Sequence, residues 1–181
     1  RDFLNDWLEI NAKHRVGVTT YDSYAFLARR YIIPQIGHIP LDKLSPFQLQ
    51  KLYTDLLDMD KERGEGKISP STVRRVHNVL LSAFDWAIKM QMIPKNPAKN
   101  VQPPKQREEG MIVWTREEAG TFLKTCKGHR LYPLFYLALS TGMRKGELLG
   151  LKWEDIEWDY EVIRVRRTLG RTSEGFIVRE Q

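Results

Sequence analysis

The stretch Thr141-Gly-Met-Arg-Lys-Gly-Glu147 carries the residue types that can do chemistry. Arg144 follows a Thr-Gly turn, and Glu147 stands three residues on. On a helix an i, i+3 pair shares one face, so the Glu147 carboxylate can hold the region of Arg144 in place. A guanidinium is planar, always charged and donates two parallel hydrogen bonds, which suits the two non-bridging oxygens of a phosphodiester. In phosphoryl transfer such a group stabilises the charge that builds on the transition state. The plainer reading of the same pair is a surface ion bridge at a helix start.

Other patterns carry less. Gly64-Glu-Gly66-Lys67 lacks the glycine spacing and the Lys-Ser/Thr pair of a phosphate loop, and reads as a solvated turn. His14, His38, His77 and His129 share no metal-ligand spacing, and each reads as a surface or turn residue. Glu154, Asp155, Glu157 and Asp159 form an acidic run of the kind that holds magnesium in nucleases, but a period of two splits them between faces. The single cysteine, Cys126, excludes an intrachain disulfide and any Cys-based zinc site. No metal and no cofactor is expected.

The elements that position Arg144 follow from periodicity. Thr115-Arg-Glu-Glu118 is a capping box, which predicts a helix to about Lys127, ended by Gly128. Residues 131–139 are apolar nearly all round, the pattern of a buried helix, and Thr141-Gly142 stops it. A short helix spans 145–149. Alternation over 162–167 predicts a strand, 170–175 a turn and 176–178 a returning strand. On that strand Arg164 and Arg166 share one face and Arg167 points to the other.

The N-terminal part reads as four helices. Phe3, Trp7, Leu8 and Ile10 mark one apolar face, and Tyr24, Leu27, Ala28 and Tyr31 a second, ending near Pro34. Ser45-Pro46 and Ser69-Pro70 are helix starts, followed by the stripes Leu49, Leu52, Tyr53, Leu56 and Val73, Val76, Leu80, Phe84, Ala87, Ile88. The unperiodic, proline-bearing stretch 101–110 reads as a linker, so residues 1–100 form one helical domain and 111–181 begin a mixed α/β domain with a β-hairpin. The fold class is therefore mainly α: a four-helix bundle, then a truncated α/β domain. The chain opens at Arg1 without an initiator Met, so it is expected to be a piece of something longer.

Of the 181 residues 41% are hydrophobic, enough for a core, which excludes a mainly disordered chain. No apolar run approaches the roughly 20 residues of a membrane span. The net charge is +6, with 15 basic and 11 acidic side chains over residues 1–102. A pI near 9.4 makes nucleic acid a fitting partner.

The Arg144 stretch resembles the tyrosine recombinases, or phage-type integrases. Thr141-Gly-Met-Arg-Lys-Gly-Glu147 matches their T-G-x-R-x-x-E motif, and Leu151-Lys-Trp-Glu-Asp-Ile156 matches the L-x-W-x-D-I continuation. The helical part resembles their SAM-like core-binding domain, and Asn96-Pro97 the N-P that closes it. The resemblance implies a tyrosine that attacks a DNA phosphodiester to form a 3′-phosphotyrosyl link without metal or nucleotide. It makes Arg144 the first catalytic arginine and Glu147 its supporting acid. The family's lysine, His-x-x-Arg motif and nucleophilic tyrosine are expected beyond Gln181, so the chain alone is expected to be inactive.

Duplex DNA is the expected partner, and the resemblance implies that it is gripped by a C-shaped clamp. Off the apolar stripe of the fourth helix stand Arg74, Arg75, Asn78, Ser82 and Lys89, with Lys67 and Ser71 at its entry. Arg favours guanine edges and Asn adenine edges, whereas Lys and Ser mostly hold phosphates. Arg29 and Arg30 on the second helix, and Arg164 and Arg166 on the hairpin, complete the basic candidates. The resemblance further implies a tetramer on two duplexes in the full-length protein and a cytoplasmic location. Two alternatives stand beside it: a non-enzymatic regulator that occupies recombination sites, and a helical protein–protein module.

Overall fold

The computed structural model describes residues 1–58, 68–105 and 110–180. The chain divides into two compact units, Arg1–Glu108 and Glu109–Gln181.

Among its described residues the first unit is a bundle of four helices. Helix α1 covers residues 2–15, with a π-helical stretch Trp7–Ala12 inside it. Helix α2 covers 18–36 and has its own π-helical stretch, Ala28–Ile32. Helix α3 is Pro46–Asp58 and α4 is Pro70–Lys89. The π-turns move the apolar face off the expected register. Trp7, Leu8 and Ala12 are buried, whereas Ile10 is 64% exposed, against the α-helical periodicity that places it in the core. Helix α2 ends near Pro34 as expected, two residues beyond it at Ile36, with Gly37 as its C-cap. The wide turn just before Pro34 relieves the clash between the proline ring and the preceding carbonyls.

The stripes on α3 and α4 are buried as their spacing predicts: Leu49, Leu52, Tyr53 and Leu56 pack with Val73, Val76, Leu80, Phe84 and Ala87. Both helices carry the predicted starts. The Gln48 side chain accepts from the Ser45 amide at 2.8 Å, and Ser69 Oγ accepts from the Thr72 amide at 3.3 Å. Asn96 pins the exit of the bundle onto α4. Its Nδ2 donates to the Leu81 carbonyl at 3.1 Å and to Asp85 at 2.8 Å, while its Oδ1 accepts from the Ala98 amide at 2.9 Å.

The second unit holds α5 (Arg116–Thr125), α6 (Tyr132–Thr141) and α7 (Lys145–Gly150), then four strands. Strands β1 (Ile156–Glu157) and β2 (Val162–Ile163) form a short antiparallel ribbon. Strands β3 (Arg167–Thr172) and β4 (Gly175–Glu180) form the hairpin, with Leu169 opposite Val178 and Arg171 opposite Phe176. The expected strand over 162–167 is thus split, and residues 170–172 are strand, not turn. The turn is only Ser173-Glu174, followed by Gly175 at φ 126°, a conformation that favours glycine.

Helix α6 departs from its expected burial: none of its residues is buried. An apolar surface that goes all round needs neighbours on all sides, and within this unit α6 meets α5 and α7. Phe135 packs edge-on against Phe122 of α5 at 5.4 Å. Among the described residues every buried hydrophobic side chain belongs to the first unit.

Candidate functional site

Helix α6 stops at Gly142, which takes φ 67° and so reverses the chain where an L side chain would be strained. Thr141 Oγ1 donates to the Leu137 carbonyl at 2.7 Å, closing the last turn. Arg144 then caps α7 in an extended conformation. Glu147 Oε2 accepts from the Arg144 amide at 2.8 Å, and Oε1 accepts from Arg144 Nη1 at 3.2 Å. The Glu147 side chain is 11% exposed and that of Arg144 is 87% exposed. A shielded carboxylate thus steadies an arginine whose guanidinium faces outward.

Helix α7 approaches β3 through Gly146 and Gly150. A Cβ on Gly150 would lie 2.9 Å from the Arg167 carbonyl oxygen, and one on Gly146 3.0 Å from that of Leu169. At Gly150 only a glycine allows this contact of helix and strand backbones; at Gly146 a side chain needs the Leu169 carbonyl to give by a few tenths of an ångström.

The hairpin arginines divide as expected, Arg164 and Arg166 on the Glu157 side and Arg167 turned inward, although no regular strand carries the first two. Residues 164–166 lie between β2 and β3. Arg164 forms a two-pronged ion pair with Glu157, its Nη2 donating to Oε2 at 3.0 Å. That guanidinium holds the Glu157 carboxyl below the usual carboxylate range. Arg166 lies 3.9 Å from Glu157 and 4.0 Å from Asp155. Arg167 turns inward, donating to the fully buried Asp155 at 2.7 Å and to Glu154 at 3.1 Å. Glu154, Asp155 and Glu157 of the acidic run therefore face arginines. Spacing alone missed the Asp155–Arg167 pair, because the sequence signals for a strand and for a buried carboxylate do not meet in one motif.

On α4, Arg74, Arg75, Asn78, Ser82 and Lys89 are exposed, as their place off the apolar stripe requires. Arg75 Nη2 donates to Ser23 Oγ at 2.5 Å, tying α4 to α2. Ser71 is half-buried, its Oγ 2.7 Å from that of Ser69. Arg29 and Arg30 are exposed within the π-helical part of α2. Lys67 lies outside the described residues.

His77 is a correction to its expected surface place. It is buried, because Tyr53 supplies a partner: the phenol oxygen lies 2.8 Å from His77 Nδ1. Burial and the charge of Arg74 lower the imidazole's affinity for a proton, and burial pushes the Tyr53 phenol up.

Residues 1–57 match the phage integrase N-terminal SAM-like domain, and residues 113–180 match the phage integrase family. A XerC-like tyrosine recombinase of Caldanaerobacter subterraneus subsp. tengcongensis is 29% identical over 95% of this chain and 44% of its own length. The integrase of Mycobacterium phage D29 is 26% identical over 98% of this chain and 44% of its own length. The chain thus spans less than half the length of these relatives. An integrase of transposon Tn1549, solved with transposon right-end DNA, is 25% identical and superposes with a TM-score of 0.77 over 98% of this chain and 57% of its own. A DNA-bound lambda integrase, 18% identical with a TM-score of 0.67 over 99% of this chain and 58% of its own, shares the fold. Two domain matches in family order, the Arg144 motif and the superposed fold agree: the chain belongs to the tyrosine recombinases, the phage integrase family.

Proposed function

We propose that this chain is the DNA-gripping and first-arginine part of a site-specific recombinase that cuts and rejoins duplex DNA through a 3′-phosphotyrosyl intermediate. In this reading residues 1–100 are the core-binding domain, 101–110 the linker and 111–181 the start of the catalytic domain. The observation that carries it is the Arg144–Glu147 arrangement, in which a nearly buried carboxylate holds an outward guanidinium by amide and side chain together.

The chemistry follows from the groups present. Arg144 offers paired donors to the non-bridging oxygens of the phosphate under attack, and their charge is most valuable as the transition state gains negative charge. Glu147 keeps the guanidinium at one place and gains nothing by moving. Arg74, Asn78, Arg29 and Arg30 meet bases and backbone from the helical unit. Arg164 and Arg166 meet the backbone from the second unit. The parent protein moves a phage or mobile element in or out of a chromosome, in the cytoplasm, as a tetramer on two duplexes.

This assignment predicts binding without cleavage. The purified chain retains labelled duplex DNA in a gel-shift assay, yet forms no adduct that survives denaturing electrophoresis. A covalent adduct formed by the 181 residues would overturn the assignment of the nucleophile to another part of the parent protein.

A further inference from the structure

We propose that Asp155 and Arg167 are a positioning pair, which fixes the β3–β4 hairpin against α7 and so sets where Arg144 stands relative to the hairpin arginines. The proposal rests on the DNA-binding reading above. Asp155 is fully buried although it is a carboxylate. Its Oδ2 accepts from Arg167 Nη1 at 2.7 Å and from the Lys152 amide at 2.8 Å, and its backbone carbonyl accepts from the Arg164 amide at 2.9 Å. Oδ1 has no hydrogen-bond partner, and Arg166 Nη1 stands 4.0 Å from it.

Arg167 bridges Asp155 to Glu154 with its side chain only 11% exposed, so it is turned away from any phosphate that Arg164 or Arg166 would meet. Withdrawing two charges from water gains little stability even when they are paired, and such pairs are best understood by what they specify. Here the pair specifies a backbone contact. Gly150 touches the Arg167 carbonyl, Gly146 touches the Leu169 carbonyl, and Glu147 lies between them on the same short helix. A continuous set of contacts therefore runs from Asp155 through Arg167 and the two glycines to Glu147 and Arg144. Asp155 and Arg167 touch no DNA in this scheme; they act through Arg144.

The test uses a Cys126→Ser chain, Asp155→Asn, and a crosslink made by Gly146→Cys with Thr168→Cys. A Cβ at position 146 would lie 3.7 Å from the Thr168 Cβ, within the span of about 3.5–4.5 Å that a disulfide needs. A few tenths of an ångström of give at the Leu169 carbonyl admits the new side chain. Binding to a fluorescent duplex of about 30 base pairs is measured across a salt titration, with thermal melts alongside.

Asp155→Asn is expected to weaken binding roughly tenfold and flatten the log–log salt slope by about one to two, the loss of one or two phosphate contacts at about 0.9 each. Oxidising the crosslink in the Asp155→Asn chain restores the slope, and adding Arg144→Ala removes it again. An Asp155→Asn slope equal to that of the parent chain overturns the proposal. So does an oxidised, stably folded Asp155→Asn chain whose slope stays flat. If Asp155→Asn does not fold when reduced, the oxidised form carries the comparison. A parent chain with no salt-dependent binding overturns the DNA-binding reading itself, and the positioning pair with it.

Discussion

The two carboxylate oxygens of Glu147 divide between the backbone and the side chain of Arg144, Oε2 taking the amide and Oε1 the guanidinium. Removing them with Glu147→Ala leaves an uncapped helix start and an unanchored arginine. The expected loss is about 0.5–2 kcal/mol in local stability, as for other lost caps. Hydrogen exchange at the α7 amides reads it out. Glu147→Gln, which keeps one acceptor oxygen, falls between.

The exposed stripe on α4 separates into readers and a tie. Arg74→Ala and Asn78→Ala each relax selectivity at one base pair, by about 1–3 kcal/mol, when binding sites are selected from a random duplex pool. Arg75 is held by Ser23, so Arg75→Ala and Ser23→Ala give the same small fall in melting temperature and leave the selected sequence unchanged. A change of selected sequence with Arg75→Ala would return that residue to the readers.

Acid destabilises the helical unit through His77. Its folded proton affinity is lowered from the ordinary value of 6.5 by burial first and by Arg74 second. The unfolded chain therefore takes up the proton first as pH falls. The stability contribution is complete above about pH 6.5 and declines on acidification below it. Melting curves from pH 7 to pH 5 follow this, and His77→Phe flattens the decline. Tyr53→Phe removes the Nδ1 partner and costs about 1 kcal/mol at neutral pH.

Packing gives a contrast between two residues the sequence treats alike. Leu80 is fully buried and Ile10 is 64% exposed. Leu80→Ala should cost about 2–5 kcal/mol in denaturant unfolding, and Ile10→Ala within about 0.5 kcal/mol.

These residues also show what was legible in the sequence. Capping signals at Ser45, Ser69 and Thr115, and apolar stripes on α3 and α4, are local properties, and they fixed the helices that carry them. Ile10 departs from its expected burial because a π-turn shifts the phase of the helix, and nothing in a 3.6-residue period announces it. The burial of α6 was misjudged because an apolar surface states a need, not which neighbours meet it. At the candidate site, the Arg144–Glu147 contact was legible, since one helical turn brings the two together. The inward Arg167 and buried Asp155 were not, since their pairing depends on how the chain between them folds back and on how α7 lies along β3, which no local period announces.

On the proposed function, the basic side chains of this chain grip duplex DNA. The most direct test is fluorescence anisotropy of a labelled duplex titrated with the 181-residue chain at several salt concentrations. Contacts to at least four phosphates predict a log–log slope of about −3.6 or steeper. A flat response, or no binding at low salt, would contradict it.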